Sequence, residues 1–192
     1  MTLLEDLAAI RRTPEEFTRP IIFVCHSIGG WVVEAALHIS SVMERPDLRI
    51  IEYTSGIVFI GTPHFSNDTV SWASLLRNFE KLTGRTSNKT FTQSTSRDFE
   101  SSEIQSISRA FVEIAHRFEI YSIAEETAIP AIGKIVGDDL SVLRLANVNH
   151  LSIPANHVEM SQFSRPDEIG YKRLAGAIAS LKRAASKMME VD

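Results

Sequence analysis

The stretch Ile21-Ile-Phe-Val-Cys25, followed at once by His26-Ser27-Ile28-Gly29-Gly30, limits this chain more than any other feature. The apolar run is too short for a buried helix and rich in β-branched side chains. It predicts a strand covered on both faces, as in a parallel sheet. Beyond it, Val32, Ala35, Ala36, Ile39 and Met43 recur at helical spacing and predict a helix over about 28–44, stopped by Arg45-Pro46-Asp47. A serine at so tight a strand-to-helix bend is lifted above the sheet, beside the helix N-terminus. The bend tolerates only small neighbours, and Gly29 and Gly30 supply them. The expected nucleophile is therefore Ser27, with the backbone N–H of Ile28 aimed at a developing oxyanion.

The rest of the chain repeats the alternation of strand and helix. Leu3, Leu4, Leu7 and Ile10 form a helical stripe. Thr13-Pro14-Glu15-Glu16 reads as a helix start, with Thr as cap and Glu three residues later. Gly56-Ile-Val-Phe-Ile60 predicts a second buried strand, with Gly61-Thr-Pro-His64 as the turn after it. Helices are expected over 70–82, about 97–117 and about 167–188, and an exposed loop over the Ser-, Thr- and Asn-rich residues 83–103. Phe118–Ala124 predicts a third strand and Ile132–Val136 a fourth. Strands separated by helices argue for a parallel α/β sheet with helices on both faces.

Composition removes several alternatives. A length of 192 residues suits a single domain spanning 1–192, and 44% apolar against 23% charged residues suits a globular core. The net charge of −4 gives no electrostatic reason to expect nucleic acid or an anionic membrane as partner. A single cysteine excludes a disulfide scaffold, and Cys25 reads as buried apolar filler. No His-x-x-x-His, His-Glu-x-x-His or phosphate loop occurs, so no metal and no cofactor are expected. No apolar run approaches a membrane span, and the acidic N-terminus is unlike a secretory leader; a cytoplasmic setting is the default expectation.

Three blocks in order carry a resemblance. Arg19-Pro-Ile-Ile-Phe-Val-Cys-His-Ser-Ile-Gly-Gly-Trp-Val-Val resembles the nucleophile elbow of lipase-like α/β-hydrolases. Gly56-Ile-Val-Phe-Ile-Gly-Thr-Pro-His64 resembles a second family block, and Asn156-His157-Val-Glu-Met-Ser-Gln-Phe163, with Tyr171 beyond, a third. The likeness covers about 17–180 and is to the serine-active-site-containing protein family, the GPI inositol-deacylase group and the front domains of fungal NACHT or NB-ARC repeat proteins. It implies a serine esterase or lipase-like hydrolase acting on a small-molecule or lipid ester, with NTPase or repeat domains C-terminal in relatives.

The implied order is Ser, acid, His. The third block surrounds His157, which is expected to serve as general base in preference to His150. The resemblance places the acid at Glu125. Glu126 is its neighbour at the same strand end, and Asp138 and Asp139 are the reserve. His64 is expected to fix its loop by hydrogen bonding rather than to catalyse.

Cys25 stands where these families usually have Gly, Asn156 where they often have Asp, and Gln162 where they often have Lys. The residues before Ile21 read as helical and contain no glycine. The early strands and the second oxyanion loop of the family are thus expected to be missing, with weak ester hydrolysis by these residues alone. The alternative expectation is a hydrolase-like signalling or interaction domain that turns over slowly or not at all.

Overall fold

The computed structural model describes residues 3–64, 69–84 and 95–189. Among them, α1 (Leu3–Ile10) and α2 (Pro14–Thr18) precede β1 (Ile21–His26), α3 (Gly29–Val42), β2 (Thr54–Ile60), α4 (Thr69–Leu82), α5 (Thr95–Ala115), β3 (Glu119–Glu125), β4 (Val148–Ile153) and α6 (Ile169–Met189). The strands form one sheet in the order β1-β2-β3-β4, every neighbouring pair parallel. Parallel strands need crossover connections, and α3 and α5 supply the first two.

Side-chain alternation sorts the core into two layers. Cys25, Ile57, Phe59 and Ile120 face one side, where Val33 and Leu37 of α3 and Phe111 of α5 cover them. Val58, Ile60, Ile123 and Ile153 face the other, against Ala177 and Leu181 of α6. Helices on both faces explain why β2 reads as an unbroken apolar run. A smaller cluster joins Trp72 and Leu75 of α4 to Ile135, Val136 and Leu140.

The capped start at Thr13 is present in full: the Thr13 hydroxyl accepts from the Glu16 N–H, and the Glu16 carboxylate accepts from the Thr13 N–H. Two expectations are corrected. Ile132–Val136 is not a strand; Gly133 takes a left-handed φ of 104° inside a turn closed between Ile129 and Gly133. The fourth strand is Val148–Ile153, whose Asn149, His150 and Ser152 hid it from a search for apolar runs. An edge strand pairs on one side only and tolerates such residues. Of the loop expected over 83–103, residues 85–94 lie outside the described residues, while Thr95 onward is helical as the first part of α5. No helix among the described residues is long and apolar enough to cross a membrane.

Leu181 is fully buried against the sheet, whereas Ile169, at the start of the same helix, is 51% exposed. Leu181→Ala is expected to cost about 2–5 kcal/mol in chemical denaturation. Ile169→Ala is expected to stay within about 0.5 kcal/mol of the parent.

Candidate active site

Ser27 and Ile28 form the two-residue bend between β1 and α3, with Ile28 capping the helix. Its φ of 56° is left-handed, a conformation that costs a non-glycine residue about 1–3 kcal/mol and persists only where its surroundings enforce it. Those surroundings are specific. The Ser27 N–H donates to the Ile60 carbonyl at 2.8 Å, extending the β1–β2 ladder by one bond. The Thr62 hydroxyl donates to the Ser27 carbonyl at 3.0 Å, and the Gly30 N–H donates to the same carbonyl at 3.1 Å. A side chain at Gly30 would run into Thr62, so glycine there is what lets the loop after β2 close on the bend.

The loop after β4 brings His157 to the serine across 130 residues of sequence. Its Nε2 lies 2.8 Å from Ser27 Oγ. Its Nδ1 faces Glu125 Oε1 at 3.4 Å, off the line of a good hydrogen bond. Glu125 is the last residue of β3, is 2% exposed, and is held by the Val136 N–H donating to Oε1 at 2.8 Å. With Nδ1 directed at a carboxylate, the ring proton belongs there. Nε2 is then the acceptor for the Ser27 hydroxyl. Gly61, at φ 56°, makes room for this: a Cβ would lie 3.1 Å from two atoms of the His157 ring and 2.8 Å from Met160 Sδ.

The competing residues are elsewhere. His150 is exposed on β4. Glu126 turns away to accept from Ser152 and Arg173, which hold its carboxyl below the usual range. Asp138 pairs with Lys134 and Asp139 with Arg144, all at the surface. Cys25 is buried, with its thiol donating to the Val58 carbonyl; burial first, and the Glu34 carboxylate second, push that thiol up. Helix geometry leaves the N–H groups of Ile28 and Gly29, at the start of α3, without intrahelical acceptors. Among the described residues no group of three His, Cys, Asp or Glu side chains could hold a metal ion.

One participant escaped the sequence reading. His26 donates from Nε2 to the His157 carbonyl at 2.8 Å, and its ring lies 5.0 Å from the His157 ring. Its position beside the serine was visible, but nothing local marked a bond to a loop so distant in sequence. Phe79 of α4 places its ring edge-on to His157 at 5.7 Å.

Beside the bend, α3 presents Ile28, Val32 and Ile39 to solvent, each over 40% exposed. These residues form one wall of a groove of about 790 Å³, closed by Leu3, Met43 and Ile107. Comparison with known proteins finds no matching family model, no matching curated relative and no matching solved structure.

Burial holds the His26 imidazole below its usual value of about 6.5, partly offset by its bond to His157. As pH falls below about 6.5, the unfolded chain takes up this proton before the folded one does, so stability drops. His26→Gln removes this contribution. The expected result is a shallower loss of stability on acidification than in the parent, measured by denaturant melts across that range.

Proposed function

We propose that this chain is a serine hydrolase of esterase or lipase type, acting through Ser27, His157 and Glu125. The observation that carries the reading is the 2.8 Å approach of His157 Nε2 to the hydroxyl of a serine held at a left-handed strand-to-helix bend. Strain at one residue, a base on its hydroxyl and a buried acid behind the base are the parts nucleophilic catalysis requires. The resemblance of the three sequence blocks to lipase-like α/β-hydrolases agrees with it. The apolar groove that begins at Ile28, the residue after Ser27 in the chain, favours an ester with a hydrocarbon chain, because it offers such a chain a water-poor surface.

In this mechanism His157 Nε2 takes the Ser27 proton as Oγ bonds to the ester carbon. Glu125 keeps the proton on Nδ1 and stabilises the imidazolium. The Ile28 N–H receives the negative oxygen. Collapse expels the alcohol, which leaves with the proton from His157, and Ser27 stays acylated. Water then gives a proton to His157 and its oxygen to the acyl carbon, and the acid departs as Ser27 regains its proton. His26 holds the His157 backbone in register during both steps.

A second reading is a hydrolase-like interaction domain with little or no turnover. The exposed apolar stripe on α3 and the imperfect alignment of Glu125 with His157 favour it.

Fluorophosphonate labelling separates the two. The parent is expected to react and Ser27→Ala to be inert. Turnover of p-nitrophenyl butyrate is expected to fall about 10²–10⁴-fold in His157→Gln. It is expected to fall by up to about 10⁴-fold in Glu125→Gln and to be unchanged in Glu126→Gln. A folded parent that never labels would overturn the hydrolase and leave the interaction domain.

A further inference from the structure

Behind the candidate site lies a second histidine–glutamate pair with no role so far. Glu34 of α3 and His64 are both fully buried, and His64 Nδ1 faces Glu34 Oε1 at 3.4 Å. Two serines complete the set. Ser108 of α5 donates to Glu34 Oε2 at 2.6 Å, and His64 Nε2 lies 3.3 Å from the hydroxyl of Ser122 on β3.

The proton count is constrained. Ser122 has one hydroxyl proton, and it goes to the Ser141 carbonyl at 2.9 Å. Towards His64 the Ser122 oxygen can only accept, so Nε2 carries a proton. The 2.6 Å bond from Ser108 falls in the short range of a hydroxyl donating to an ionised carboxylate. Glu34 Oε2 thus accepts, while Oε1 faces His64 Nδ1 at 3.4 Å, off the line of a good hydrogen bond. An ionised carboxylate favours a protonated nitrogen facing it at 3.4 Å, since two bare acceptors would repel at that distance. His64 then carries protons on both nitrogens.

The loop that His64 closes is the one that shapes the serine bend. Gly61 clears the His157 ring, Thr62 bonds the Ser27 carbonyl, and the Pro63 carbonyl accepts from Trp31 Nε1 at 2.7 Å. The His64 N–H fixes the loop's far end on the Leu140 carbonyl at 2.7 Å. Glu34 sits in the second turn of the helix that begins at the bend.

We propose that Glu34 and His64 form a buried carboxylate–imidazolium pair that clamps the Gly61–His64 loop to α3 and so positions Ser27 against His157. The charge state stands on hydrogen-bond bookkeeping alone, whereas the positioning role rests on the hydrolase reading. Neither residue touches the reacting atoms. Removing one partner strands the other as an uncompensated buried group, which such sites tolerate poorly.

The test has two independent parts. In the full chain labelled with nitrogen-15 histidine, long-range proton–nitrogen NMR is expected to show His64 with both ring nitrogens protonated. Glu34→Gln is expected to strip Nδ1 of its proton. A parent His64 with one bare ring nitrogen overturns the pair, whatever Ser27 does. In the second part, the fluorophosphonate reaction is resolved into probe binding and bond formation. Glu34→Gln and His64→Gln are expected to slow bond formation about 10–100-fold with probe binding unchanged, the signature of displaced reacting groups. Bond formation at the parental rate in either folded variant overturns the positioning role. A parent that is inert to the probe overturns the hydrolase reading, while the parent's His64 nitrogens still decide the pair. Should neither variant fold, the same parental spectrum decides the pair, and the milder Ser122→Ala, which removes the acceptor for Nε2 while leaving Glu34 facing Nδ1, is expected to lower the doubly protonated fraction of His64; an unchanged fraction overturns the hydrogen-bond bookkeeping.

Discussion

Ser27 can keep its left-handed backbone only because three neighbours hold it there. The strand ladder continues through its N–H to Ile60, its carbonyl is taken by Thr62 and Gly30, and Gly30 has no side chain to keep Thr62 away. Each of these belongs to β2, to the loop after it, or to the first turn of α3. The bend is therefore a property of the β1–β2 pair and its helix, and local strain is offset by bonds that only the assembled sheet provides. Everything proposed for the site depends on it, since a right-handed Ser27 would carry its hydroxyl away from His157.

The fold places two Glu–His pairs on the two sides of the Gly61–His64 loop, each with Nδ1 facing Oε1 at 3.4 Å. What separates them is the hydroxyl at the far nitrogen. Ser27 is placed to donate its proton to His157 Nε2, which leaves that ring neutral and able to act as a base. Ser122 has already committed its proton to Ser141, which obliges His64 to donate and makes it a cation. Two constellations of the same residue types thus reach opposite protonation states, through a single backbone carbonyl. One suits proton transfer and the other suits a fixed electrostatic clamp.

Much of the architecture was legible from hydrophobic pattern, and the errors are informative. The strand at Val148–Ile153 alternates apolar and polar residues weakly because it is an edge, with one side unpaired. The Ile132–Val136 run looked like a strand because Ile135 and Val136 are wholly buried, yet they pack into the cluster around Trp72 and Leu75 from a turn built on Gly133. Burial and extended conformation are separate facts, and a short apolar run reports only the first.

The sequence by itself determined the bend: an apolar run, a serine and two glycines are local requirements, written within ten residues. It also placed His64 at the end of a turn and His157 in a loop. Only the tertiary structure decided which acid faces His157, which of two neighbouring glutamates turns inward, and that Glu34 meets His64 in the core. Glu125 and Glu126 are adjacent and chemically alike. One side chain points towards Val136 and the other towards Arg173, because the pairing continues one bond past the end of β3, from the Glu126 N–H to the Ile153 carbonyl, and neighbouring extended residues face opposite sides; only the packed sheet fixes which side holds the base.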